Sequence, residues 1–223
     1  MASHADDPQR QAHAILGKIW YLMPQGRTDS AIKELQEATR LLAGRGSRAD
    51  EIIIYGVLAL AYLRRQDGEQ AQLAAHRAAT LIAQSRPTAA YTLEGYAGVT
   101  EVYLNLWMAG DHATARPAQQ ARAALRRLAR TFPTAQPRAW LYEGLSAYHL
   151  GRKRHAVAAW TKSLKQPSDS RCPTNRDAPT TNSDDTSRQT IRTRRGDSDL
   201  TPEPLRQRGW WRHRPVRRWP QFL

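Results

Sequence analysis

The stretch AWLYEGLSAYHLGRKRHAVAAWTKSL, residues 139–164, predicts two helices joined by a tight turn. Trp140 and Gly144 give the first helix a large anchor and a small contact residue, and Gly151 suits the turn. Ala156 and Trp160 repeat the small and large pair on the return helix. Because one such hairpin cannot bury its apolar face alone, hairpins of this kind occur as stacked arrays.

The first part of the chain predicts another hairpin. Apolar residues recur at helical spacing over residues 8–22 and again over 30–42. We expect Asp29 and Ser30 to cap the second of these helices. Gly44-Arg45-Gly46 is expected to close the hairpin.

Two more hairpins are predicted between residue 50 and the opening stretch. Asp50 can cap a helix that turns at Asp67-Gly68 into its return helix. A further unit opens at 87–89, turns at Gly110-Asp111 and returns over residues 113–130.

A large aromatic anchor recurs in the last three of the four predicted hairpins. Tyr55, Tyr96 and Trp140 are 41 and then 44 residues apart, longer than the tetratricopeptide repeat of about 34 residues. We expect them to be packing anchors rather than ligand-stacking residues. The predicted fold is all-α: stacked helix-turn-helix, tetratricopeptide-like repeats that form a short solenoid over residues 8–165.

Beyond residue 165 the helical periodicity stops. Residues 166–223 are rich in Pro, Ser, Thr, Asp and Arg, and bury too little apolar surface to offset their chain entropy. We therefore predict a disordered tail that ends in GWWRHRPVRRWPQFL, residues 209–223. Three interpretations stay open: a functional basic segment, a solvated low-complexity end, or the product of a shifted reading frame.

The charge and the cysteine content limit the classes of partner and the cellular compartment that the sequence predicts. The net charge of +14 admits nucleic acid, an anionic membrane surface or an acidic protein as a partner. No dense basic stripe emerges, because residues 166–223 contribute only +5 (12 Arg less 7 Asp and Glu).

The single cysteine, Cys172, excludes an intrachain disulfide and fits a reducing compartment. The longest apolar run, 52–63, falls short of the roughly 20 residues that span a bilayer, so we expect a soluble, cytoplasmic protein without a membrane span.

Three segments carry a resemblance to a known family: YGVLALAYLRR (55–65), AAYTLEGYAGVTEVYL (89–104) and PRAWLYEGLSAYHLGR (137–152). They resemble the tetratricopeptide-like C-terminal region of bacterial class III adenylate/guanylate cyclases that carry an ATPase module. The likeness covers residues 31–165. It implies a regulatory or scaffolding helical array that lies outside both catalytic domains. Family members continue into another hairpin where this chain leaves the pattern, so the resemblance implies an array open at its C-terminal end.

The chain shows no sign of catalysis. It lacks a G-x-x-x-x-G-K-[ST] phosphate loop, an H-E-x-x-H metal motif and a G-x-S-x-G nucleophile turn. Glu94, Glu101 and Glu143 are expected to be solvated or paired rather than to act as acid or base. His149 and His155 have no further ligand at metal spacing. We expect no enzymatic activity, no cofactor and no metal.

If the first helix of each hairpin lines a concave side, an apolar groove with a polar rim results, which is typical of protein or peptide binding. The predicted partner-binding residues are Leu60, Leu63, Arg64, Leu104, Asn105, Leu141, Leu145, Tyr148 and His149. The alternative is that these helices pack on one another and leave no groove. The predicted function is a noncatalytic interaction scaffold. The second candidate is a basic protein that binds nucleic acid through its Trp/Arg-rich C-terminus.

Overall fold

The computed structural model describes residues 8–44 and 46–165, which form eight α-helices and no strand. The helices are α1 (Pro8–Leu22), α2 (Thr28–Leu42), α3 (Arg48–Arg64), α4 (Gly68–Ala83), α5 (Leu93–Met108), α6 (Ala115–Thr131), α7 (Gln136–His149) and α8 (Lys153–Leu164). Short 3₁₀ turns, Ala90–Thr92, His112–Thr114 and Pro133–Ala135, precede α5, α6 and α7. The all-α prediction is confirmed. The predicted tail, 166–223, lies outside the described residues.

The helices pack as four pairs in chain order: α1 with α2, α3 with α4, α5 with α6, and α7 with α8. The second helix of each of the first three pairs also packs against the first helix of the next pair. In addition, α3 packs on α5, and α5 packs on α7. The described part of the chain contains no helix long and apolar enough to cross a membrane.

Small residues on the second helix of each pair let the helices approach closely. Ala71, Ala75 and Ala78 of α4 are fully buried, as are Ala118 of α6 and Ala156 of α8. Alanine favours the helix and buries no polar group, so these positions stabilise both the helix and its packing. In the last pair, a Cβ on Gly144 would overlap the indole of Trp160, so Gly144 lets this large side chain pack against α7.

Helices α3 and α5 cross through three glycines whose backbones touch. A Cβ on Gly56 would overlap the carbonyl oxygen of Gly95, and one on Gly98 would overlap the carbonyl oxygen of Gly56. A Cβ on Gly95 would lie 2.5 Å from the carbonyl oxygen of Ile52. These glycines are therefore required by the close approach of two helices.

Two predicted helix caps are wrong by a few residues. The cap of α2 is Arg27, which makes no side-chain cap hydrogen bond, and Asp29 lies in the first turn. The cap of α3 is Ser47, and Asp50 is the third helical residue. Ser47 and Asp50 form a reciprocal capping box, in which each side chain accepts a hydrogen bond from the other's backbone N–H.

Candidate binding cleft

A cleft of about 600 Å³ opens between α1 and the start of α5, with α3 as its floor. One wall carries His13, Leu16 and Trp20 of α1, which share a helix face because they are three or four residues apart. The opposite wall and the floor are formed by Tyr91, Leu93, Glu94 and Ile53. We call this site the inner cleft.

The walls of the inner cleft are apolar and open to solvent. Trp20 is 39% exposed and Tyr91 is 47% exposed. Polar atoms enter from only a few residues: the His13 imidazole, the Tyr91 hydroxyl and the Glu94 carboxylate. An apolar concavity with a few convergent polar groups is the usual form of a binding site.

The buried carboxylate of Asp50 holds the two walls in place. Its Oδ1 lies 2.8 Å from His13 Nε2 on α1 and accepts a hydrogen bond of 3.0 Å from the Tyr91 hydroxyl. Its Oδ2 accepts hydrogen bonds from Gln9 Nε2 at 3.0 Å and from Ser47 Oγ at 2.7 Å. One carboxylate therefore joins α1, the start of α3 and the segment before α5.

The environment of Asp50 keeps the carboxylate ionised. Burial by itself raises the pKa of Asp50, but hydrogen bonds from His13, Ser47 and Tyr91 outweigh burial and lower the pKa below its ordinary value of 3.8. Burial, together with the negative charge of Asp50, raises the pKa of Tyr91. The Tyr91 hydroxyl thus stays protonated and serves as a hydrogen-bond donor.

Ion pairs and hydrogen bonds between polar side chains extend from the inner cleft across α3, α5 and α7. Arg64 of α3 lies 3.5 Å from Glu101 of α5, whose second carboxylate oxygen accepts a 2.8 Å hydrogen bond from Tyr142 of α7. Arg138 of α7 donates to Glu94 of α5 at 3.2 Å. Glu94 and Glu101 are therefore paired, as predicted, and this pairing ties the first helices of three hairpins together.

Two of the predicted groove residues lie in the core. Leu60 is 8% exposed and Leu104 is 1% exposed, so neither can contact a partner, and their assignment to an open groove is wrong. The physical reason is that α5 packs on α3 and α7 packs on α5, which places these leucines between successive helices.

The other predicted residues do not form one groove. Leu63, Arg64 and Asn105 are half-buried, and the Asn105 side chain donates to the Glu101 carbonyl at 2.8 Å. The ring of His149, an exposed residue, packs against Trp107 with centroids 4.6 Å apart. The remaining three lie on α7, where two are half-buried and the third is exposed: Leu141, Leu145 and Tyr148.

The sequence reasoning missed the residues that line the inner cleft. His13 and Trp20 are seven residues apart, which places them on one face of α1, and this local signal was available. No local signal predicts that His13 and Trp20 converge with Tyr91. Their convergence depends on Asp50, which is 37 residues from His13 and 41 from Tyr91. Across residues 8–44 and 46–165, no group of three or more His, Cys, Asp or Glu side chains could hold a metal ion.

Compared with known protein families and with curated proteins, the chain matches none. The case for a function therefore rests on the geometry of the helices and of the inner cleft.

Proposed function

We propose that the four helix pairs are tetratricopeptide-like repeats of a short solenoid, and that the protein is a noncatalytic scaffold for protein–protein interaction. The order of packing supports this proposal, because each pair contacts the next and the first helices α3, α5 and α7 contact in series. We also propose that the chain corresponds to part of the C-terminal regulatory region of a cyclase-like, cytoplasmic signalling protein.

The inner cleft is the observation that carries the proposal. Its apolar lining, which includes Leu16, Trp20 and Leu93, suits apolar side chains of a bound peptide segment. Its polar groups are already engaged: His13 and Tyr91 are hydrogen-bonded to the buried Asp50, and Glu94 pairs with Arg138. Groups held in this way position the walls and are poorly suited to proton transfer, which favours binding over catalysis.

The test is capture of partner proteins from an extract of the source cells by the full chain, compared with a Trp20→Asp variant. A charge on the cleft wall is expected to abolish specific capture, because the partner would have to desolvate it. Leu73→Asp is the matched control, since Leu73 is 64% exposed on α4, outside the cleft. Equal capture by both variants and the unmodified protein would exclude the cleft as the binding site.

The second candidate, nucleic-acid binding through residues 209–223, concerns a segment outside the described residues. Nothing in the described helices favours it over the inner cleft.

A further inference from the structure

The last hairpin carries a second apolar surface, separate from the inner cleft. Tyr148 of α7 is 38% exposed, and Val157 and Leu164 of α8 are 59% and 52% exposed. The rings of Tyr148 and Trp160 lie 5.8 Å apart, which joins the apolar stripes of the two helices. We call this surface the C-terminal face; its residues are Leu141, Leu145, Tyr148, Val157, Trp160 and Leu164.

On α7, the C-terminal face lies at positions that are buried in the earlier hairpins. The turns after α3, α5 and α7 each contain one residue with positive φ: Gln66, Gly110 and Gly151. Aligning these turns matches Leu145 with Leu104 and Leu60, which are 1% and 8% exposed. It also matches Tyr148, 38% exposed, with Trp107, which is 7% exposed. The next first helix packs on α3 and on α5, so the α7 part of the C-terminal face has the form of a site for one more helix. The α8 part differs, because Val157 matches Gln72 and Arg116, which are exposed.

The segment that contains α8 is strongly basic, although Lys162 lies over the ring of Trp140, outside the C-terminal face. Residues 150–165 contain five cationic side chains and no Asp or Glu: Arg152, Lys153, Arg154, Lys162 and Lys165. Glu143 of α7 does not offset this charge, because its carboxylate lies 3.2 Å from Arg122 and 3.5 Å from His155. Acidic side chains beside the apolar stripe of a bound helix would favour its binding to this face.

The same charge disfavours the chain itself as the occupant. A second copy would bring two basic α8 segments together, well within the screening distance of about 10 Å at ordinary salt. Charge complementarity therefore points to a different protein.

We propose that the C-terminal face binds an amphipathic helix of another protein, with acidic residues flanking the helix's apolar stripe. The bound helix takes the place that α5 takes on the α3–α4 hairpin and α7 takes on α5–α6. This interaction is independent of the inner cleft, so the protein has two separate surfaces for partners.

The test uses the full chain and two labelled synthetic peptides of about 18 residues, long enough to match one helix of this fold. Both carry Leu and Ala at helical spacing on one face; the other positions are mainly Glu in the first peptide and Lys in the second. Fluorescence anisotropy is expected to show the acidic peptide binding at least about tenfold more tightly, with a difference that shrinks as salt is raised.

Matched variants locate the binding surface. Val157→Glu combined with Leu164→Glu is expected to abolish binding of the acidic peptide, and circular dichroism checks that this exposed double substitution leaves the helices intact. Leu73→Glu, an equally exposed change on α4, is expected to bind as the unmodified protein does. Trp20→Asp is also expected to retain binding, which separates this proposal from that of the inner cleft.

Several outcomes would overturn the proposal. These are equal binding of the two peptides, no binding of either, or binding that the Val157/Leu164 variant retains. Sedimentation that shows a dimer lost in this variant would assign the face to a second copy. Cosedimentation with phosphatidylserine vesicles that the variant loses, without peptide binding, would assign it to a membrane surface.

Discussion

Asp50 joins three separate elements through one carboxylate, which gives the protein a pH dependence with a defined sign. The folded-state pKa lies below 3.8, because hydrogen bonds from His13, Ser47 and Tyr91 outweigh burial. The stabilisation is therefore complete above the ordinary pKa and is lost as the pH falls through the folded-state pKa. Asp50→Asn is expected to cost about 2 kcal/mol at neutral pH, because the amide replaces an ionised acceptor.

Urea unfolding of both proteins from neutral pH to about pH 3 measures this effect. The gap in unfolding free energy between the unmodified protein and Asp50→Asn should narrow at the acidic end. Asp29→Asn serves as a control, since Asp29 is 78% exposed and lies 3.6 Å from Arg65. A gap that stays constant across this pH range would show that the Asp50 charge does not stabilise the fold.

Glu143 neutralises the charge of Arg122 between α6 and α7. Arg122 is 17% exposed and lies 3.2 Å from Glu143, and burial lowers the pKa of Arg122 while Glu143 opposes that effect. Glu143→Gln leaves this guanidinium without its counterion, so we expect a loss of about 2 kcal/mol in unfolding free energy. The control is Glu37→Gln, which breaks an exposed pair with Arg40 and should cost less than about 0.5 kcal/mol. Similar losses in the two variants would contradict the structural role of Glu143.

At the scale of helices, the contact of α3 with α5 depends on backbone approaching backbone. Alanine at Gly98 favours the helix by up to about 1 kcal/mol, yet its Cβ would overlap the Gly56 carbonyl and push the helices apart. We expect the overlap to dominate, with a net loss of about 2 kcal/mol in thermal or urea unfolding.

Gly17→Ala is the matched control for Gly98→Ala, because it changes the helix propensity without causing an overlap. Gly17 also lies within a helix, α1, but a Cβ there meets no atom within 4 Å. Its substitution should raise the unfolding free energy by up to about 1 kcal/mol, because only the helix propensity changes. If Gly98→Ala also stabilised the protein, α3 and α5 would have to be farther apart than this structure places them.

At the scale of the whole molecule, contacts are densest in the middle of the array and sparsest at its ends. Helix α5 packs on α3, α4, α6 and α7, whereas α8 packs mainly on α7. A chain of neighbouring units opens most readily from its ends. Hydrogen exchange followed by mass spectrometry should therefore show the slowest exchange in α3 and α5 and faster exchange in α8. Equal protection of the amide hydrogens of α5 and α8 would indicate that these helices unfold together as a single cooperative unit.

The helices and their order could be predicted from the sequence because each rests on nearby residues. The periodicity of Ile32, Leu35 and Ala38 and the turn at Asp67-Gly68 are local signals, and the structure places them in α2 and at the start of α4. The cap of α3 could not be predicted from local sequence, since Ser47 and Asp50 are both good cap residues and only their reciprocal hydrogen bonds show which one begins the helix.

The candidate sites were only partly predictable. The helical periodicity identified Leu60 and Leu104 as apolar, but the same pattern fits a groove residue and a residue buried by the next helix. Which alternative holds depends on how closely neighbouring hairpins approach, and the glycine crossing of α3 and α5 sets that distance.

The sequence by itself therefore determined the all-α class, the hairpin pairing and the basic character of the chain, since periodicity, turns and charge are local properties. Only the tertiary structure decided where the proposed partner surfaces lie. The inner cleft depends on Asp50 contacts over 37 to 41 residues, and the C-terminal face depends on which helix sides are covered. Both follow from the stacking of helices distant in sequence, a property that no single segment encodes.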